Sequence, residues 1–217
     1  MDVDAFRRDG ALHFDGLFGV DEVEALKTPA REGPGQRLRG AGLAALFAPA
    51  TAVAQTLIGK AARPVRAVLF DKTPNANWAV AWHQDRTIVV RERREVEGFG
   101  PWSRKDGLLH VAPPIEVLEG MATLRIHLDP CGPDNAPLKV ALGSHLLGRV
   151  AARDVARRAD EHRQLECCAT VGDVWAYSTP ILHASERARR PVRRRVLQVD
   201  FSALDLPGGL YWAGVED

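Results

Sequence analysis

The chain has 217 residues, 46% hydrophobic and 26% charged, with a formal net charge of +1. That length suits one soluble domain whose core needs no disulfide or structural metal, and the balanced charge gives no electrostatic footprint for nucleic acid. Cys131, Cys167 and Cys168 make a poor disulfide framework and read as reduced thiols of a cytoplasmic protein, the acidic start Met1 to Asp4 lacks the apolar stretch of a signal peptide, and no apolar run is long enough to span a membrane.

In chain order, the first sixty or so residues read as helical. Residues 3–8 form a short amphipathic helix ended by Gly10. Asp21 is a plausible N-cap for a helix over 22–27, which Pro29 stops. Residues 31–40 are rich in Gly and charge and read as a loop. Residues 43–57 are apolar and Ala-rich; Pro49 either interrupts that helix or begins a second one in its first turn. The pattern changes after Pro64. Residues 65–70, 87–90, 138–142, 166–170, 174–177 and 196–201 are strand candidates, and 121–128 alternates apolar and polar residues with the two-residue period of a strand with distinct faces. One charged helix covers about 151–164. Residues 91–114 are poor in regular pattern, and a loop that long in a compact domain is either functional or a surface excursion. Short strands with Gly/Pro turns, and no long crossover helices between them, argue a sandwich or closed barrel rather than a doubly wound sheet.

The chemistry is carried by three separated signals. In Trp82-His83-Gln84-Asp85, His83 and Asp85 stand two apart and share one side of an extended chain, so both can reach one metal ion; a surface pair gives the same pattern. His183 follows the turn at Gly172-Asp173 and a strand, where a barrel would bring a third ligand to the first two. Two His and one Asp on one face of a metal leave three positions open, the facial triad of non-haem Fe(II) oxygenases. Arg193-Arg194-Arg195 enters the last strand. The planar fork of an arginine suits the far carboxylate of a dicarboxylate co-substrate in a dry pocket, and strand alternation lets only one of the three serve well.

Taken together, these motifs resemble the phytanoyl-CoA dioxygenase family of Fe(II)/2-oxoglutarate oxygenases. The resemblance covers roughly residues 65–201. It rests on Leu69-Phe70-Asp71-Lys72-Thr73-Pro74 before the His83/Asp85 motif, on Leu128-Asp129-Pro130 through Asp134-Asn135-Ala136-Pro137-Leu138, on Gly143-Ser144-His145, on Gly172-Asp173 with His183-Ala184-Ser185, and on the closing strand Arg194 to Phe201. It implies Fe(II) held by His83, Asp85 and His183, and 2-oxoglutarate held by Arg194 with help from Ser185. Arg125 falls on a strand position facing the co-substrate, where the family often has an aromatic. Gln84 and Lys72 are further candidates for the co-substrate. Ala136 stands where Gly is usual, and Ala141-Leu142 where Leu-Pro is expected, both packing positions.

The implied fold is a double-stranded β-helix, a jelly-roll or cupin-like barrel, as one domain over 1–217: a helical part at 1–62 and a barrel at 63–204. The implied activity is a dioxygenase that uses O2 and 2-oxoglutarate, releases succinate and CO2, and by default hydroxylates a C–H bond of a small metabolite. Arg86, Trp102 and His110 are candidate substrate contacts. His145 reads as structural, and a polar barrel lining is enough to explain His127. The expected form is a monomer or homodimer with a small-molecule substrate and no nucleic-acid or membrane partner. A non-oxidative cupin-like isomerase or lyase, and a non-catalytic metal-binding sensor, remain open on the same barrel.

Overall fold

The computed structural model describes residues 1–27 and 33–216. Its elements in order are α1 (Val3–Asp9), β1 (Ala11–Phe14), α2 (Val20–Leu26), β2 (Gly33–Leu38), α3 (Ala48–Ile58), β3 (Arg63–Lys72), β4 (Val80–His83), β5 (Ile88–Val90), β6 (Trp102–Lys105), β7 (Leu108–Val111), α4 (Ile115–Glu119), β8 (Met121–His127), β9 (Leu138–Ala141), α5 (Val155–Asp160), β10 (Gln164–Cys167), β11 (Val174–Ser178), β12 (His183–Ser185) and β13 (Arg194–Ser202). Strand order is β1-β11-β8-β13-β3-β2 in the large sheet, β10-β9-β12-β4 in the sheet facing it, and β5-β7-β6 in a small third sheet. Neighbouring strands pair antiparallel throughout these sheets. This is the mainly β, jelly-roll architecture that the sequence implies.

The alternation of β8 explains the layering. Ala122, Leu124 and Ile126 are buried under the helices, in one core with Phe6, Phe47, Val53, Leu69, Leu197 and Val199. Thr123, Arg125 and His127 are equally buried but point the other way, as the period of two requires. The large sheet therefore gives an apolar face to α1–α3 and a polar face to the barrel interior. Among the described residues, no helix is long and apolar enough to cross a membrane.

Several expectations need correction. The N-terminal part is not wholly helical, because β1 and β2 flank the large sheet on opposite edges. Asp21 is not the cap of α2. Gly19 caps it, and the Glu22 carboxylate accepts the Gly19 amide at 2.7 Å, so the helix starts two residues earlier. Pro29 lies outside the described residues, as do residues 31 and 32 of the expected loop. Residues 33–38 of that stretch form an edge strand, β2. Its pairing with β3 shifts register between Gly33 and Gln36, and Gly35 sits at φ +126°, where a Cβ would come within 3.2 Å of Val68. A Gly-rich edge strand of this kind carries little sequence signature. Pro49 does lie in the first turn of a helix, α3.

The stretch 91–114 is not a plain loop, since it contains the β6–β7 hairpin. Asp106 and Gly107 form its two-residue turn at φ 48° and 78°, a signal the sequence displays. The charged helix shrinks to Val155–Asp160 behind a single 3-10 turn, and the expected 166–170 strand lies earlier, as β10.

Candidate active site

His83 ends β4 and His183 begins β12, and the two are direct partners in the antiparallel register. Their rings lie 4.1 Å apart between centroids. Asp85, two residues on, reaches the same point: one ligand atom from each of His83, Asp85 and His183 lies within 4.8 Å of the others. Both rings are fixed from behind. His83 Nδ1 donates to Ala81 O and His183 Nδ1 to Ile181 O, each at 2.9 Å. A carbonyl only accepts, so each Nδ1 carries the proton and each Nε2 presents a lone pair, the tautomer a metal-binding imidazole needs.

Asp85 Oδ2 is buried with no hydrogen-bond partner. Its neighbour Arg66 stands at 3.6 Å, beyond hydrogen-bond reach. Such an orphaned carboxylate oxygen beside two free imidazole nitrogens fits a divalent cation. Burial would raise the Asp85 pKa, but Arg66, His183 and His83 outweigh it and hold the carboxyl below its usual range. Burial, then His83, lowers His183 to about 4, with Asp85 partly opposing. Asp85 is thus held ionised and His183 neutral, the forms in which they can bind a metal. Arg66 is itself anchored by Asp200, which also accepts from Thr123 Oγ1 at 3.1 Å.

The triad opens into a cavity of about 280 Å³. Toward one end stand Arg194, Lys72 and Ser185. Arg194 and Lys72 face each other across the β13–β3 pairing. Lys72 Nζ donates to Ser185 Oγ at 3.1 Å and to Glu186 O at 3.0 Å, and Ser185 Oγ donates to Ala136 O at 3.2 Å. Arg194 is 3% exposed. Its NH1 meets Ala136 O and Cys131 Sγ, while its Nε is buried without a partner. No carboxylate among the described residues pairs with either cation. Burial, then Arg194 and Arg125, lowers Lys72 to about 8. A buried cation pair of this kind fits an anionic group brought by a ligand. By contrast, Arg193 pairs with Asp71 and Arg195 with Asp129, so alternation leaves Arg194 as the inward arginine.

Arg125 lines the same cavity. It donates to Gln198 Oε1 at 2.9 Å and lies 5.2 Å from the Phe70 ring centroid. Gln84 does not line the cavity. It points to the other side of its strand, where its amide donates to Gly148 O and Pro180 O and accepts from Val150 N. Arg86, Trp102 and His110 also lie away from the cavity lining. Arg86 donates to Val150 O, Trp102 packs on the apolar cluster around Val111, and His110 meets Thr87 Oγ1 at 3.3 Å. His145 bonds to Arg7 O at 3.1 Å, tying α1 to the barrel. Arg37, Trp78 and Lys105 do line the cavity, and the sequence reading missed them. Of these, Lys105 was reachable through the Asp106-Gly107 turn.

Two buried histidines outside the metal group add to the acid sensitivity that His183 brings to the fold. Burial, then Arg66 and Arg37, lowers His110 to about 4; burial, then Arg125 and Arg194, lowers His127 to about 3. A histidine whose folded pKa is depressed contributes stability above its unfolded pKa of about 6.5, and that stability is lost as pH falls toward the folded value. Melting temperature is therefore expected to fall on the order of 10 °C between pH 7 and pH 5. His127→Gln and His110→Gln together should flatten that slope. An unchanged slope in the double variant would show that other groups set it.

A jelly-roll barrel whose interior presents two histidines and an aspartate beside a buried arginine defines a metal-centred class of β-helix proteins. The phytanoyl-CoA dioxygenase family model matches residues 6–196, and the chain belongs to that family of non-haem iron oxygenases. No curated protein sequence matches it significantly. Similar solved structures share the fold at low identity. EvdMO1 (TM-score 0.65, 19% identity) covers 92% of this chain, which spans 48% of that protein. The non-heme alpha ketoglutarate dependent carbocyclase SnoK from nogalamycin biosynthesis (0.66, 18%) covers 99% of this chain and 87% of its own. The epimerase SnoN, in complex with Fe3+, alpha ketoglutarate and nogalamycin RO (0.61, 17%), covers 95% and 89%.

Proposed function

We propose that this chain is an Fe(II)- and 2-oxoglutarate-dependent dioxygenase that hydroxylates a C–H bond of a small metabolite. The observation that carries the reading is one cavity shared by an open His83/Asp85/His183 group and a buried Arg194 without a carboxylate partner. His83, Asp85 and His183 would hold the iron. Arg194 would hold the far carboxylate of 2-oxoglutarate, with Lys72 and Ser185 beside it and Arg125 on the facing wall. Iron and 2-oxoglutarate, when bound, supply from O2 an oxidant able to attack an unactivated C–H bond, with release of succinate and CO2.

The remaining work falls to the chain. The backbone carbonyls of Ala81 and Ile181 orient the two imidazoles, so little reorganisation accompanies metal binding. Gln84 braces the strand between the two ligands from behind. Arg66, anchored by Asp200, favours the ionised form of Asp85. The barrel walls exclude water from the reacting bond. We further infer that 1–217 is a single oxygenase domain, since α1 and α3 share one core with the large sheet, and that it works in the cytoplasm with its cysteines free.

The SnoK and SnoN likenesses keep ring formation and epimerisation as alternative outcomes of the same oxidant. A non-oxidative isomerase or lyase would have no use for Arg194, and a metal sensor would need neither Arg194 nor Lys72. The test is anaerobic addition of Fe(II) and then 2-oxoglutarate to the purified protein. A weak visible charge-transfer band is expected from a metal-chelated keto acid. Iron binding without that band would remove the dioxygenase reading.

A further inference from the structure

Among the described residues, six cationic side chains line the cavity, Arg37, Arg66, Lys72, Lys105, Arg125 and Arg194, against one lining carboxylate, Asp85. Asp200 neutralises Arg66, and Asp106 pairs with Arg37. A metal dication and dianionic 2-oxoglutarate cancel one another, so loading the site leaves the cationic surplus in place. Focused positive potential in a walled cleft concentrates anions.

The surplus is also divided in space. On β3, Arg66 and Lys72 point to the same face but stand roughly 20 Å apart at about 3.3 Å per residue. Lys72 joins Ser185 and Arg194 at one end. Arg66 stands by Asp85 at the other, and Arg37 is in register with Val68 on the neighbouring strand. The metal group thus stands at the Arg66 end, with Arg37 nearer to it along the sheet than to Lys72 and Arg194. The Arg37 end has its own unfilled valence: NH1 meets Asp106, but Nε is buried with no hydrogen-bond partner. Asp106 holds the guanidinium plane in place, and the adjacent Lys105, exposed at the tip of the β6–β7 hairpin, lines the cavity beside it.

We propose that the substrate is an anion, carrying a carboxylate or phosphate group that Arg37 and Lys105 receive at the end of the cavity remote from Arg194. The inference rests on the oxygenase reading only for which end the co-substrate takes. A bound anion at Arg37 and Lys105 would leave the rest of the substrate over the metal face opposite the co-substrate carboxylate.

Calorimetric titration of the Zn(II)- and 2-oxoglutarate-loaded protein tests this, with phenyl phosphate and benzoate as anionic probes and benzamide as the neutral one. Both anions are expected to bind at least about tenfold more tightly than benzamide. Arg37→Gln should weaken them about tenfold or more, and Lys105→Gln about threefold, as suits an exposed partner. Because Lys105 is exposed, K105Q keeps the test open even if R37Q folds poorly. The affinity for 2-oxoglutarate in both variants should stay within about twofold of the unmodified chain. Equal binding of benzamide, unchanged anion binding in both variants, or a parallel loss of 2-oxoglutarate binding would each overturn the proposal. If the unmodified chain fails to bind 2-oxoglutarate at all, the oxygenase reading falls, while anion binding that depends on Arg37 and Lys105 would still stand.

Discussion

Asp85→Ala is expected to abolish turnover and metal retention while the barrel still folds. Asp85 is the one carboxylate of the His83/Asp85/His183 group and, though itself only partly buried, has Oδ2 enclosed and unpaired, so its removal deletes a ligand without breaking a hydrogen bond of that oxygen. Arg66 keeps Asp200 as its partner, so no cation is stranded. A metal at about a hundred times its Kd stabilises the folded state by about 2.7 kcal/mol, which for a domain of this size is a rise of about 5–10 °C in Tm. Thermal unfolding with and without Mn(II) reads the effect directly. The unmodified chain should show that rise and D85A none. A full rise in D85A would mean that the metal binds elsewhere and that His83 and His183 are only a packed pair.

Arg194→Ala should act on the co-substrate alone. Truncating one partner of a buried, hydrogen-bonded charge pair costs about 2–5 kcal/mol, which corresponds to a loss of 2-oxoglutarate affinity of roughly 30-fold to a few thousand-fold. Metal affinity should be unchanged, since Arg194 touches Ala136 O and Cys131 and none of the three ligand side chains. Arg194→Lys should recover little, because a lysine lacks the planar fork that grips both carboxylate oxygens. Titration of the charge-transfer band under anaerobic conditions measures both constants. An R194A protein that still binds 2-oxoglutarate normally would return the chain to the non-oxidative reading, with Arg194 serving only to tie β13 to the Ala136 turn.

The shared side of His83 and Asp85 was legible in the sequence because their spacing is local physics. His83 and Asp85 share a side of an extended chain and Gln84 does not, which is how the three stand. The alternation of residues 121–128 likewise foretold two faces for β8, and Asp71 and Asp129 take the arginines on either side of Arg194. Arg86, Trp102 and His110 are a different matter. Their place near the metal motif or in an apparent loop said nothing about direction: the hairpin packs Trp102 on the small sheet's apolar cluster and sets His110 opposite Val89, with its ring against Thr87.

By itself, then, the sequence determined which residues alternate on a strand, which side chains can share a metal, and which family the motifs resemble. These depend on periods of two residues and on chemistry carried within a few positions. Tertiary structure alone decided that His83 meets His183 in register, that a Gly-rich stretch becomes an edge strand, and that Arg37 and Lys105 join the same cavity from strands far apart in the chain. Those outcomes depend on which edges pair and which faces close. Backbone hydrogen bonds between strands pair alike whatever the side chains, so no local pattern announces the partner.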